Sequence, residues 1–307
     1  MTDDTAEIRA DPAGELDTVQ TWLRSLLPAN GSAGLGNSGL RVFNQLLCLP
    51  GKASYATATE VAEGAQTSIS SVTRLAQRLG YGGWPDLQRD LRVRHLARLS
   101  LMDVADAHGE SPTPFQASLR QDADSLTDSL RSLSEEQVVR VANRLAAAEN
   151  IYAVAQGSFA AVAHALLHNI RLAGYPARAL LDNAAGIANH VSRFDSADLL
   201  IVCSYWRLYD VDVIAAAQAR VRGATVIVIA DNISPALDAS ADEVLLVPAE
   251  GSSFFPSLTA AMAVQQGLVA TLAGLDPERT RKSMVIAEDA WQQFKILHRP
   301  VTRTKHA

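Results

Sequence analysis

TATEVAEGAQTSISSVTRLAQRLGYGGWPDLQR, residues 57–89, is the stretch on which the reading of the whole chain turns. It predicts two short helices around a tight corner, closed by a glycine-rich turn. Thr57 or Thr59 caps the first helix, whose apolar positions are Val61, Ala62 and Ala65. Gly64, Ala65 and Gln66 make a connection of helix-turn-helix length, with glycine as the conformationally permissive residue. Ser68 caps a second helix over 68–79, with Ile69, Val72, Leu75, Ala76 and Leu79 at helical spacing. Gly80 stands where a left-handed residue ends a helix. The opposite face carries Ser70, Ser71, Arg74, Gln77 and Arg78, with Thr67 and Ser68 at its start. Hydroxyls, an amide and guanidinium groups on one exposed face suit phosphates and base edges.

The pattern Ser68-x-x-Ser71-x-x-Arg74-Leu-x-x-x-Leu79-Gly80-Tyr81-x-Gly83-Trp84 resembles the helix-turn-helix of RpiR-type bacterial transcription regulators. That family has threonine where this chain has Ser71, a change that keeps the hydroxyl. The resemblance implies a reading helix in the DNA major groove, with Thr67, Ser68, Ser70, Ser71, Arg74, Gln77 and Arg78 as the expected DNA-contacting residues.

Charge is distributed accordingly. The chain of 307 residues has a net charge of −6. Residues 36–98 hold eight Lys/Arg (Arg41, Lys52, Arg74, Arg78, Arg89, Arg92, Arg94, Arg98) against Glu60, Glu63, Asp86 and Asp90, a net of +4 that leaves −10 elsewhere. A basic module on an acidic body is the footprint of local binding to a nucleic-acid backbone. No apolar run approaches the roughly 18–20 residues of a membrane span, and the acidic start MTDDTAEIRADPAGE has no hydrophobic region of a signal peptide. Cys48 and Cys203 both lie in apolar surroundings and are expected to be buried thiols of a reducing, cytoplasmic compartment.

Length allows about two domains. The expected division is a tail and short helix over 1–35, a helix-turn-helix domain over 36–98, a helical linker over 99–136, an effector domain over 137–275, and a C-terminal helix and tail over 276–307. In the first part, helices are expected at 16–27, 38–49 and 86–97, the last a basic amphipathic helix whose arginines meet phosphates or solvent. Residues 109–114 read as a hinge before a helix over 115–133, and Ser134 starts another. From residue 150 the rhythm becomes strand then helix. Buried strands are expected at 151–155, 177–181, 199–203, 225–230 and 243–247, with helices between them and at 257–272 and 277–297. Near-continuous apolar strands alternating with helices predict an α/β doubly wound domain with a five-stranded parallel sheet of flavodoxin-like order, after an all-α helix-turn-helix domain.

Residues 137–275 resemble the SIS (sugar isomerase) domain, through Leu172-Ala-Gly174, Ala197-Asp198, Gly223-Ala224, Ser234-Pro235 and Ala241-Asp242. In such a sheet a ligand lies beyond the carboxyl ends of strands one and three, where strand order reverses. The candidate ligand residues are therefore Gln156, Gly157 and Ser158 in one loop, and Ser204, Tyr205, Trp206, Arg207 and Tyr209 in the other. Phosphosugar-binding members carry Gly-x-Gly-x-Ser and Ser-x-Ser-Gly-x-Thr there, and this chain departs from both. A loop of small hydroxyls has become aromatic and cationic. Arg207 either anchors an anion with Trp206, Tyr205 and Tyr209 walling the cleft, or pairs with Asp210 or Asp212.

An isomerase needs a tuned acid and base. His164 and His168 sit at i, i+4 without a zinc-type glutamate and read as a packing face, His190 ends the next helix, and Glu250 is a weak acid/base candidate. The expectation is a non-enzymatic, ligand-responsive regulator that needs no cofactor or metal. Its partners are a double-stranded DNA operator with inverted half-sites, a small anionic effector (phosphosugar, sugar acid or carboxylate) and a second copy, as homodimer or homotetramer, pairing through helices that include 257–272. The alternatives are a sugar-phosphate isomerase and a dimerisation scaffold with a vestigial pocket.

Overall fold

A computed structural model describes residues 19–108, 112–181, 183–253, 255–296 and 298. The start of the expected 16–27 helix, part of the expected hinge, Asp182, Phe254 and the extreme C-terminus lie outside the described residues. The chain divides into two units, one up to Val104 and one from Ala105.

The first unit is helical. It comprises α1 (Val19–Ser25), a 3-10 turn (Gly31–Leu35), α2 (Gly36–Cys48), α3 (Pro50–Ala53), α4 (Ala58–Gly64), α5 (Ile69–Arg78) and α6 (Trp84–Leu96). Thr57 closes a capping box at the start of α4: its hydroxyl accepts the Glu60 N–H at 3.2 Å, and the Glu60 carboxylate accepts the Thr57 N–H at 2.7 Å. The left-handed residue of the corner is Gln66 (φ 50°), not Gly64. Gly64 is small for another reason: the Gln45 side chain packs where its Cβ would stand. Gly80 (φ 95°) ends α5 as expected. Its N–H reaches Gln77 O at 3.1 Å and the Tyr81 N–H reaches Ala76 O at 3.0 Å, a Schellman ending.

Val72, Leu75, Ala76 and Leu79 of α5 pack with Val42, Phe43 and Leu46 of α2 and with Trp84, Leu87 and Leu91 of α6. Ile69, expected inside, is 50 % exposed because the first turn of α5 projects beyond that core. Val19, Leu23 and Leu35 join the same core, so the described part of 19–35 packs with the reader and the 29–36 run is a turn rather than a loose link. Cys48 is exposed on the last turn of α2, against expectation; Cys203 is buried. Helix α7 (Leu101–His108) lies at the start of the expected helical linker over 99–136.

The second unit starts with α8 (Pro114–Ser132) and α9 (Glu135–Ala147), the latter capped by the Ser134 hydroxyl, which accepts the Gln137 N–H. Five strands follow: β1 (Asn150–Ala155), β2 (Ala177–Ala179), β3 (Asp198–Ser204), β4 (Thr225–Ala230) and β5 (Glu243–Leu246). Between and after them come α10 (Ala160–Leu172), α11 (Ala184–Val191), α12 (Asp210–Val221), α13 (Pro235–Asp238), α14 (Thr259–Leu275) and α15 (Pro277–Gln293). All pairings are parallel, in the order β2-β1-β3-β4-β5. This is the expected doubly wound sheet.

Two cores form, one on each face. Leu166, Leu167 and Ile170 of α10 meet Leu145 of α9 and Leu268 and Leu272 of α14 on one side. Ile187 and Val191 of α11, Ala216 and Ala219 of α12 and Leu237 of α13 fill the other. Edge strand β5 is covered: Gln137 Nε2 donates to Val244 O at 2.6 Å, and Arg140 and Arg144 flank Glu243. The inner face of α14, through Ala260, Ala261, Leu268 and Leu272, packs within its own chain.

Candidate functional site

On α5 the chemistry is arranged by a chain of hydroxyls. Ser68 Oγ lies 2.9 Å from Ser70 Oγ and 3.0 Å from Ser71 Oγ, and Arg74 Nη2 donates to Ser71 Oγ at 3.2 Å. Ser71, expected on the exposed face, is only 5 % exposed, so it faces inward and its hydroxyl orients Arg74. Ser68 is the N-cap residue by position, but its side chain makes no cap bond. Arg78 also departs from expectation. Its Nη1 donates to Gly34 O at 2.8 Å and Leu35 O at 2.6 Å, fastening the last carbonyls of the 3-10 turn. Ser68, Ser70, Arg74 and Gln77 are exposed on this face, with Thr67 half-buried beside them. Arg74 and Arg78 line a small cleft of about 210 Å³ with Asn37 and Ser38 at the start of α2. On α6, Arg94 stacks over Trp22 at 4.8 Å, Arg92 over Tyr55 at 5.7 Å, and Arg89 pairs with Asp86 at 3.3 Å. Arg92 and Arg94 thus cover aromatic surface as well as carrying charge.

At the carboxyl ends of β1 and β3 the two expected loops meet. Gly157 has φ 57°, and a Cβ there would stand 3.5 Å from the Tyr209 hydroxyl, so the first loop passes under Tyr209. Gln156 Nε2 donates to Asp212 Oδ1 at 3.1 Å, tying that loop to the first turn of α12. Trp206 is held in the left-handed region (φ 61°), its N–H donating to Asp231 Oδ2 at 2.9 Å. The Arg207 guanidinium lies 4.3 Å from the Trp206 ring centre. Gln156, Trp206 and Arg207 are half-buried; Gly157, Ser158 and Tyr209 are exposed.

Two of the eight expected ligand residues are elsewhere. Tyr205 is 1 % exposed, its ring edge-on to Phe159 at 5.3 Å, and burial pushes its hydroxyl well above the usual phenol range. It belongs to the core and walls no cleft. Ser204 is buried at the end of β3.

Two carboxylates shape the site without having been foreseen in that role. Asp212 is fully buried, its Oδ2 finds no hydrogen-bond partner among the described residues, and burial raises its pKa to about 6. It is turned onto Gln156 instead of Arg207. Asp231, just past β4, is raised to about 7 by burial, opposed by the Trp206 N–H. The only sequence signal for Asp212 was an acid in the first turn of a helix, ordinarily a solvated partner of the dipole.

His164, His168 and His190 are exposed, so HALLH is not the packing face it was read as. No group of His, Cys, Asp and Glu suited to a metal occurs among the described residues. Glu250 lies 3.9 Å from His108 Nε2. No described helix is long and apolar enough to cross a membrane.

Comparison with known proteins places the pieces in one architecture. The SIS domain family matches residues 144–270. An uncharacterized HTH-type transcriptional regulator of Escherichia coli (strain K12), YfhH, is 27 % identical over 187 residues, covering 56 % of this chain. The match spans only 62 % of that relative's length. The Vibrio vulnificus NanR protein, solved with ManNAc-6P, is similar over 92 % of this chain and 100 % of its own (TM-score 0.56, 21 % identity). The sugar isomerase domain of an RpiR transcription factor from Sphaerobacter thermophilus is similar over 58 % of this chain and 99 % of its own (TM-score 0.55, 26 % identity). With a helix-turn-helix in the first unit and a sequence matching the SIS domain in the second, the chain is similar to transcription regulators of the RpiR type.

Proposed function

We propose that this protein is a ligand-responsive, DNA-binding transcription regulator. Helix α5 enters the major groove of an operator with inverted half-sites. The SIS domain, paired with a second copy, senses a small anionic metabolite. The observation that carries the reading is Arg74: exposed on the reading helix, basic, and pre-oriented by the buried Ser71 hydroxyl. The YfhH relative, named as an HTH-type transcriptional regulator, supports it.

For the effector, Arg207 supplies the charge and the first turn of α12 supplies backbone N–H groups and the positive end of the helix dipole. Trp206 and Tyr209 supply apolar walls. The ligand class is a phosphorylated sugar, sugar acid or carboxylate.

Operator binding by purified full-length chain tests the reading. Arg74→Ala is expected to cost about 1–3 kcal/mol of affinity and to relax selection at one base pair, the signature of base readout. Arg78→Ala should act through stability instead, since its guanidinium is bonded to Gly34 and Leu35. Operator affinity unchanged by Arg74→Ala would refute the assignment of α5.

An isomerase reading rests on the Glu250–His108 pair, an acid and a base beyond the end of β5. Assay of the protein on a panel of phosphosugars decides it, with no turnover expected. Turnover that Glu250→Gln abolishes would establish the enzyme.

A further inference from the structure

Helix α15 is 17 residues long and buries none of them fully. Thr280 and Ser283 bond to α10 and α14 backbone, and Arg279 lies over Tyr175, so one side of the helix is seated. The other side carries large apolar side chains in the open: Met284 is 57 % exposed and Ile286 61 %. Beside it, against the end of α14, runs a groove of about 630 Å³ lined by Gly274, Thr280, Arg281, Met284, Val285 and Glu288. Its floor is open, since a Cβ on Gly274 would meet nothing within 4 Å.

Arg281, Met284, Val285 and Glu288 lie at i, i+3, i+4 and i+7, a single seam along the helix. The seam is a palindrome in chemistry. A two-fold axis between Met284 and Val285 sets each Arg281 opposite Glu288 of the other copy, and each Met284 opposite Val285. Within one chain Arg281 and Glu288 stand two turns apart, about 10.5 Å along the axis, too far to pair. Glu288 accordingly has a buried Oε1 with no hydrogen-bond partner among the described residues. A buried carboxylate oxygen in that condition is costly unless something supplies a donor.

We infer that α15 pairs antiparallel with α15 of a second copy of this chain, Arg281 of each bonding Glu288 of the other and the Met284 side chains entering the grooves. The occupant is a second copy because the seam complements itself in charge, Arg281 against Glu288 about the two-fold axis, as an isologous contact requires. The pairing rests on the proposal that the second unit pairs with a second copy and names the helix that does so, while using no residue of the proposed DNA or ligand sites.

Sedimentation equilibrium of full-length protein tests it. Arg281→Glu and Glu288→Arg, each placing like charges across the axis, are expected to raise the dimer dissociation constant by about tenfold or more. The double variant restores both pairs with reversed sign and is expected to return to within about threefold of the parent. Thermal unfolding of each variant identifies any loss of folding. Should Glu288→Arg fail to fold, the salt dependence of the parent dimer and Arg281→Glu decide alone. Single variants that dimerise like the parent, or a folded double variant no tighter than the singles, would overturn the pairing. So would a parent chain that is monomeric at about 10 μM, which would leave the seam to another occupant.

Discussion

Trp84→Ala is expected to unfold the amino-terminal unit and abolish DNA binding while the sheet unit keeps its own transition. Trp84 is 4 % exposed, packs in the core with Leu75 and Leu87, and donates its indole N–H to Ala56 O at 3.2 Å. Removing a buried tryptophan costs about 3–5 kcal/mol, a large part of the roughly 5–15 kcal/mol that holds a domain folded. Trp84→Phe keeps most of the bulk and loses the hydrogen bond, so its cost falls to about 1–2 kcal/mol. Limited proteolysis followed with calorimetry reads both units at once. Cleavage confined to the first unit in Trp84→Ala is the expected pattern. An unchanged amino-terminal transition would show that the Leu-Gly-Tyr-Gly-Gly-Trp turn is not the keystone of that fold.

The second large effect is on pH. Folding raises the Asp212 carboxyl from its ordinary 3.8 to about 6, through burial that its bond to Gln156 only partly offsets. The folded state therefore holds this proton more tightly than the unfolded chain. The stability this contributes is full below about pH 4 and is lost as pH rises through about 6, up to roughly 2–3 kcal/mol. Asp231 acts in the same direction, its loss completing as pH passes about 7. The sheet unit is thus expected to melt at lower temperature at pH 8 than at pH 5. Asp212→Asn keeps the acceptor for Gln156 and removes the ionisation, so its melting temperature should fall less over that range. Parallel pH profiles for the two proteins would refute the role of Asp212.

What the sequence made legible was whatever one short stretch determines by itself. The strands were plain because burial on both faces makes them near-continuous apolar runs, as in Leu199–Cys203. The Schellman ending at Gly80 was plain because glycine alone takes that conformation cheaply. What depended on distant residues was not legible. Ser71 has the spacing of an exposed hydroxyl, yet the packing of α5 turns it inward beneath Arg74. Arg78 meets carbonyls more than forty residues earlier in the chain. Tyr205 reads as a pocket wall beside Trp206, but it directly follows β3 and Phe159 claims its ring. Asp212 and Asp231 come together with the loops only because β1, β3 and β4 are neighbours in the sheet. Gln66 in the left-handed region carries no sequence mark at all, since Gly64, two residues before it, was the better candidate.

The central claim is that a ligand at the end of the sheet governs the hold of α5 on DNA. Its most direct test is the affinity of the full-length chain for a duplex selected from a random library, measured with and without each member of a panel of phosphosugars and sugar acids. One member is expected to shift that affinity by about fivefold or more, on the scale of ordinary allosteric coupling. Arg207→Ala should retain the ligand-free affinity and lose the shift. A panel member that binds the protein by calorimetry yet leaves DNA affinity unchanged, or an Arg207→Ala protein that responds like the parent, would contradict the account.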